Sequence, residues 1–243
     1  MKLERFLYKN STFWFMGFFV FALVAFWPNY FGRPFSRMDI HFHTHGIAMT
    51  LWCLMLIGQA FLIRLGKPKI HRMTGKFSYV LVPLIVLTTL SLLHFQIKRD
   101  NLLGDGHFYF MALVINALIV FVLLYGLAIR FRSEPAIHAR YMVCTIFPLF
   151  TPVTDRLIAF HVKPLIGVVP VVAGGPMLPL IGFAMADLIL ICLSIWDWRT
   201  HKRLNIFPVA LIILLIYHIS VITFYRFSFW QSFGEWFMSL PLS

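Results

Sequence analysis

The sequence predicts an all-α protein, a bundle of seven transmembrane helices with a cytoplasmic N-terminus and an outward-facing C-terminus. Three observations carry this reading. Hydrophobic residues make up 60% of the chain and charged residues only 12%, far from the balance of a water-soluble domain. Mean hydropathy is +0.83, and several stretches approach the roughly 20 apolar residues that an α-helix needs to cross the hydrocarbon core. The charges gather in the short connections between those stretches, so residues 1–243 read as a single transmembrane domain.

The first apolar run, near 12–28, follows Lys2, Arg5 and Lys9 and superficially resembles a secretory signal. It is read as a retained helix. Its core is crowded with Phe and Trp, and Pro28, Asn29 and Tyr30 offer no small-residue cleavage site. Hydropathy places the other spans near 42–64, 77–96, 107–130, 139–160, 177–196 and 206–225. Between the fifth and sixth lies Leu165–Ala173, too short to cross and followed by Gly174-Gly175-Pro176. That segment reads as re-entrant or interfacial. After the last span, Phe227, Trp230, Phe233, Trp236 and Phe237 interleave with Ser, Gln and Glu in an interfacial tail, 226–243.

The net charge of +12 would suggest nucleic acid in a soluble domain. Here no basic patch is interleaved with stacking aromatics in a polar segment, so the lipid bilayer is the expected partner and nucleic acid is not. Of the 21 Lys and Arg residues, 14 fall at the N-terminus or in the second, fourth and sixth connections, and 7 on the other side. This bias sets the cytoplasmic side. Cys53, Cys144 and Cys192 each sit inside an apolar span without a CxxC pair, which implies neither a disulfide framework nor a thiolate zinc site. The last span has no lysine, which excludes a retinal Schiff base of the rhodopsin kind.

Ten histidines in so apolar a chain call for a chemical reason, because ionisable groups at membrane depth are costly and face a partner or a water-filled cavity. The densest group is Asp39-Ile-His-Phe-His-Thr-His45. In a helix His41 and His45 share a face and His43 points away; in an extended segment all three line one side. Either arrangement offers two or three imidazoles to zinc, copper or iron. Interfacial hydrogen bonding is the competing explanation. Trp52 and Gln59 continue the His41–His45 stripe, which should face the interior. His94, His107 and His161 fall at helix ends, where solvated roles are favoured.

On the cytoplasmic side one pattern occurs twice. His71-Arg72-Met-Thr-Gly75 opens the third span and His138-Ala-Arg140-Tyr-Met142 opens the fifth. The histidines fit axial ligands of haem b, with Arg72 and Arg140 as partners of its propionates; the same residues also fit positive-inside anchors with a capping role. These HRxxG and HxRxM motifs, with Arg156 further along, resemble a group of uncharacterised bacterial polytopic membrane proteins over roughly 70–160. The HxHxH segment with Trp52 and Gln59 is similar to a subset of them. The resemblance implies a bacterial inner-membrane location and importance for His71 and His138, and implies no reaction.

Asp187 lies near the middle of the sixth span, and a carboxylate there is a functional candidate. His218, in the seventh span, is its expected partner, as either a proton-handling or a structural pair. Asp155 and Arg156 read as an internal ion pair or as part of a proton path. Together these residues favour a haem- or metal-binding protein with a redox or respiratory-assembly role, whose partners include respiratory-chain or other membrane proteins. A metal-dependent membrane hydrolase or hydroxylase at the outer face is the alternative, though the chain has no HExxH motif. A transporter is the third reading.

Overall fold

A computed structural model describes residues 3–33, 39–99 and 103–242, with side chains from residue 10 onward. Lys2, Arg5, Lys9 and Arg37, four of the residues that set the expected orientation, lie outside the described side chains, as does Ser243. Among the described residues, seven helical segments are long and apolar enough to span a membrane: Asn10–Phe31, Ile40–Arg64, Pro68–Lys98, Asp105–Arg130, Pro135–His161, Pro179–His201 and Phe207–Arg226. The chain is therefore all-α and of multi-pass type. The seven expected spans are all present. The third begins at Pro68 rather than near 77, because its first turns are too charged for hydropathy to register but start on a proline suited to a helix's first position.

Contacts group the chain into two compact units, 1–92 and 93–243. In the first, α1 (Leu3–Phe26) ends in a π-helical turn, Trp27–Phe31, that contains Pro28. It packs along α2 (Ile40–Arg64), and the Arg64 guanidinium lies 4.5 Å over the Phe13 ring. Asp39 caps α2 by accepting a hydrogen bond from the His41 backbone N–H at 3.0 Å. Gly66, at φ +68, turns the chain into α3 (Pro68–Gly75), which leads to α4 (Ser78–Lys98).

The second unit is organised around α5 (Asp105–Arg130) and α9 (Phe207–Thr223). Phe108, Met111, Ala112, Ile115, Val120 and Leu124 recur at helical spacing and are buried. In lipid, close packing and interhelical hydrogen bonds hold such faces together; here the Asn116 amide donates to Ser220 Oγ at 2.8 Å. The fifth span is divided into α6 (Pro135–Cys144) and α7 (Phe150–His161) by a 3₁₀ turn at Phe147–Leu149. Pro148 supplies no N–H and disfavours a continuous helix there. α8 (Pro179–His201) packs on α7 and α9.

The segment expected to be re-entrant forms a 3₁₀ turn, Lys163–Val168, and a minimal hairpin of β1 (Val171–Val172) and β2 (Gly175–Pro176). Its loop residues Ala173 and Gly174 have φ values of 50° and 82°, as a two-residue hairpin turn requires. The tail is helical, α10 (Ser228–Met238). Phe229 and Trp236 remain exposed, while Trp230 is buried and its indole N–H donates to the Phe108 carbonyl at 2.9 Å. The aromatic tail thus docks on α5 through one face and presents the other outward.

Candidate functional site

In the first unit, the helical start of α2 separates His41, His43 and His45 as its geometry requires. His41 Nδ1 is 2.7 Å from Ser91 Oγ and His45 Nδ1 is 3.3 Å from Thr89 Oγ1, so both rings meet hydroxyls of α4. His43 is buried on the other side, its ring 5.9 Å from that of Tyr30. Trp52 is fully buried, as its stripe predicts. Among the described residues no three His, Cys, Asp or Glu side chains gather as a metal-holding group. The expected trio of His41, His43 and His45 is not brought together, because α2 is already helical at Ile40.

The motif that occurs twice in the sequence has a repeated geometry. Each histidine lies in the first turn of a helix that opens with proline, Pro68 before His71 and Pro135 before His138. His71 Nδ1 is 3.3 Å from the Gln59 carbonyl, and His138 Nδ1 is 2.8 Å from the Ala128 carbonyl. In each case the carbonyl belongs to the preceding span. It accepts from Nδ1–H, which selects the tautomer whose lone pair is on Nε2. The α3 turn is held further by Gln59, whose amide donates to Thr74 Oγ1 at 2.8 Å.

The two arginines have different fates. Arg72 is exposed on α3. Arg140, expected to meet an anionic group of a cofactor, is instead 1% exposed and bound to Asp197, itself 2% exposed. Its Nε and Nη2 donate to the two Asp197 oxygens at 2.9 and 2.8 Å, and its Nη1 to the Ala136 carbonyl at 2.8 Å. A planar guanidinium matches a carboxylate in this way, and burial leaves little reason for the pair to open. His201 Nδ1 joins the same carboxylate at 3.1 Å. Asp197 is the functional-site neighbour that sequence reasoning missed. The spacing of four residues between Asp197 and His201 on one helix was its only trace.

Deeper in the second unit, His218 Nδ1 lies 3.2 Å from Asp187 Oδ2, the pairing expected between the sixth and seventh spans. Phe183 stacks on the His218 ring at 3.9 Å and meets Tyr217 edge-on at 5.3 Å. Asp155 and Arg156 lie on α7, with Arg156 Nη1 donating to the Pro152 carbonyl at 2.9 Å. Asp155 is in electrostatic range of Tyr109 and Tyr217, two phenols that sequence reasoning passed over because a tyrosine in an apolar span carries no motif.

Comparison with protein-family models, curated proteins and solved structures gives no match for this chain. Its chemistry is therefore read from the geometry of these residues.

Proposed function

We propose that this is an integral membrane protein of the bacterial inner membrane that binds haem b or a transition-metal ion through histidines, in a redox or respiratory-assembly role. The observation that carries the reading is the imidazole held by a carbonyl of the preceding span, at His71 in one unit and at His138 in the other. A ligating histidine characteristically donates its other ring N–H to a carbonyl or carboxylate, which fixes the ring and raises its basicity. Each histidine is taken as a ligand from its own unit. Arg72, at the mouth of the first, supplies positive charge for an anionic substituent. Haem, iron or copper would supply one-electron chemistry, and the chain supplies the orientation of the two carbonyl-held rings.

The geometry favours His71 and His138 over the trio of His41, His43 and His45, since His43 points away from the other two, whose rings are engaged by hydroxyls of α4. This weakens the outer-face hydrolase reading, which depends on that trio. An absorption spectrum with metal analysis on the purified full-length protein tests the proposal. The expected result is stoichiometric haem or iron, copper or zinc. A protein purified from cells supplied with haem and metals, yet carrying none of them, contradicts it.

A further inference from the structure

We infer that the second unit contains a proton-access route, from the Arg226 end of the seventh span through Tyr225, Tyr109, Asp155 and Tyr217 to the Asp187–His218 pair. It goes beyond the cofactor reading and uses none of its ligands.

The route begins where Arg226, which is exposed, donates from Nε to Tyr225 Oη at 2.8 Å. The Tyr225 and Tyr109 rings meet edge-on at 6.2 Å. Tyr109 and Tyr217 both lie in electrostatic range of Asp155, so three helices, α5, α7 and α9, deliver one oxygen acid each to a common region. Tyr109 Oη and Asp155 Oδ1 are shielded from solvent and have no partner at hydrogen-bonding geometry among the described residues, while Tyr217 Oη, equally shielded, faces the Thr151 hydroxyl. Tyr217 is only 3% exposed. Burying a polar group without a hydrogen bond is costly, so Tyr109 and Asp155, each unbonded at such an atom in one region, point to a use other than packing. The Thr151 hydroxyl stands beside Tyr217, and Arg156 is the cation adjacent to Asp155.

The inner end follows directly. The Tyr217 and His218 rings are 5.2 Å apart, and His218 reaches Asp187. Beyond Asp187, Leu190 on α8 and Leu214, Ala210 and Phe207 on α9 form a buried apolar layer that separates the pair from the Arg140–Asp197 ion pair further along α8. The route is thus a half-path, entering from one end and stopping about 12 Å into α8, eight residues after Pro179.

Each phenol both donates and accepts, and each carboxylate accepts when ionised and donates when protonated. Because these groups are not in direct hydrogen-bonding contact with one another, the proton passes between them through bridging water: each O–H gives its proton to a water or lone pair, is reprotonated from the preceding side, and the first group is replenished by solvent. The net change is one proton removed from solvent and one bound by the Asp187–His218 pair, with no oxidant or reductant involved.

The test is infrared hydrogen–deuterium exchange on the full-length protein in lipid vesicles. The protonated-carboxyl band of Asp187 is identified by its loss in Asp187→Asn, and acidification extends to about pH 4, near the ordinary carboxylate range. In wild type the band appears on acidification and shifts promptly after transfer to heavy water. Tyr217→Phe, which removes one hydroxyl and keeps the ring, and Asp155→Asn should each slow that shift at least roughly tenfold, as expected when one member of a relay is removed. An Asp187 band that never appears, or one that exchanges equally fast in wild type and both variants, overturns the route. Because cofactor content is measured separately on the same samples, a protein without haem or metal leaves this result intact.

Discussion

Arg140→Met should lower the stability of the full-length protein by about 3–5 kcal/mol, the cost typical of removing one member of a buried ion pair. The effect arises from Asp197 more than from the lost contact. With Arg140 gone, a carboxylate that is 2% exposed keeps, among the described residues, His201 as its hydrogen-bonding partner. Arg140→Lys should recover little, since an ammonium cannot reproduce the two parallel bonds at 2.9 and 2.8 Å. The double substitution Arg140→Met with Asp197→Leu should recover most of the loss, because removing both charges removes the desolvation penalty. Reversible unfolding in detergent micelles measures all three. If the double variant is as unstable as the single one, the buried pair is not what holds α6 against α8.

Gly182→Val should be the next most damaging change. A Cβ at this position would fall 2.5 Å from Thr154 Oγ1 and 3.2 Å from the Thr151 Cα. The hydroxyl can rotate away, but the backbone atom cannot move without shifting α7. Overpacking of this kind costs about 1–3 kcal/mol, and the branched side chain of valine places it at the upper end. Gly182→Ala with Thr154→Ala removes the nearest obstacle and should regain part of the stability lost by Gly182→Ala alone. The same unfolding measurement decides it. Equal stability of Gly182→Val and wild type would show that α7 and α8 are not in close contact there.

What the sequence made legible follows from the physics of lipid. A helix in hydrocarbon must be about 20 apolar residues long and must satisfy its own backbone, so composition alone revealed seven spans. The same rule concealed what was not apolar. The first turns of the third span carry Lys69, His71 and Arg72 and were invisible to hydropathy, although they are helical from Pro68. The Asp187–His218 pairing was legible because each residue is an ionisable exception within an apolar run. Asp197 was not, since it lies near the basic end of α8 where a carboxylate needs no explanation. The outer histidines misled for a related reason. Spacing in sequence shows how close imidazoles are along the chain, but the helical rotation set by the Asp39 cap turned His43 away from His41 and His45. Tyr109 and Tyr217 had no sequence signal, because their significance comes from convergence on Asp155 across three helices.

The central claim is that a histidine fixed by a carbonyl of the preceding span, and not the denser outer cluster, holds the cofactor. Bound haem and metal are measured side by side in two full-length double variants, His71→Ala/His138→Ala and His41→Ala/His45→Ala, each normalised to folded protein. The account predicts a loss of roughly tenfold or more in the first, at least as large as removing a supporting outer-shell partner, and content close to wild type in the second. Loss confined to the His41/His45 variant would contradict it.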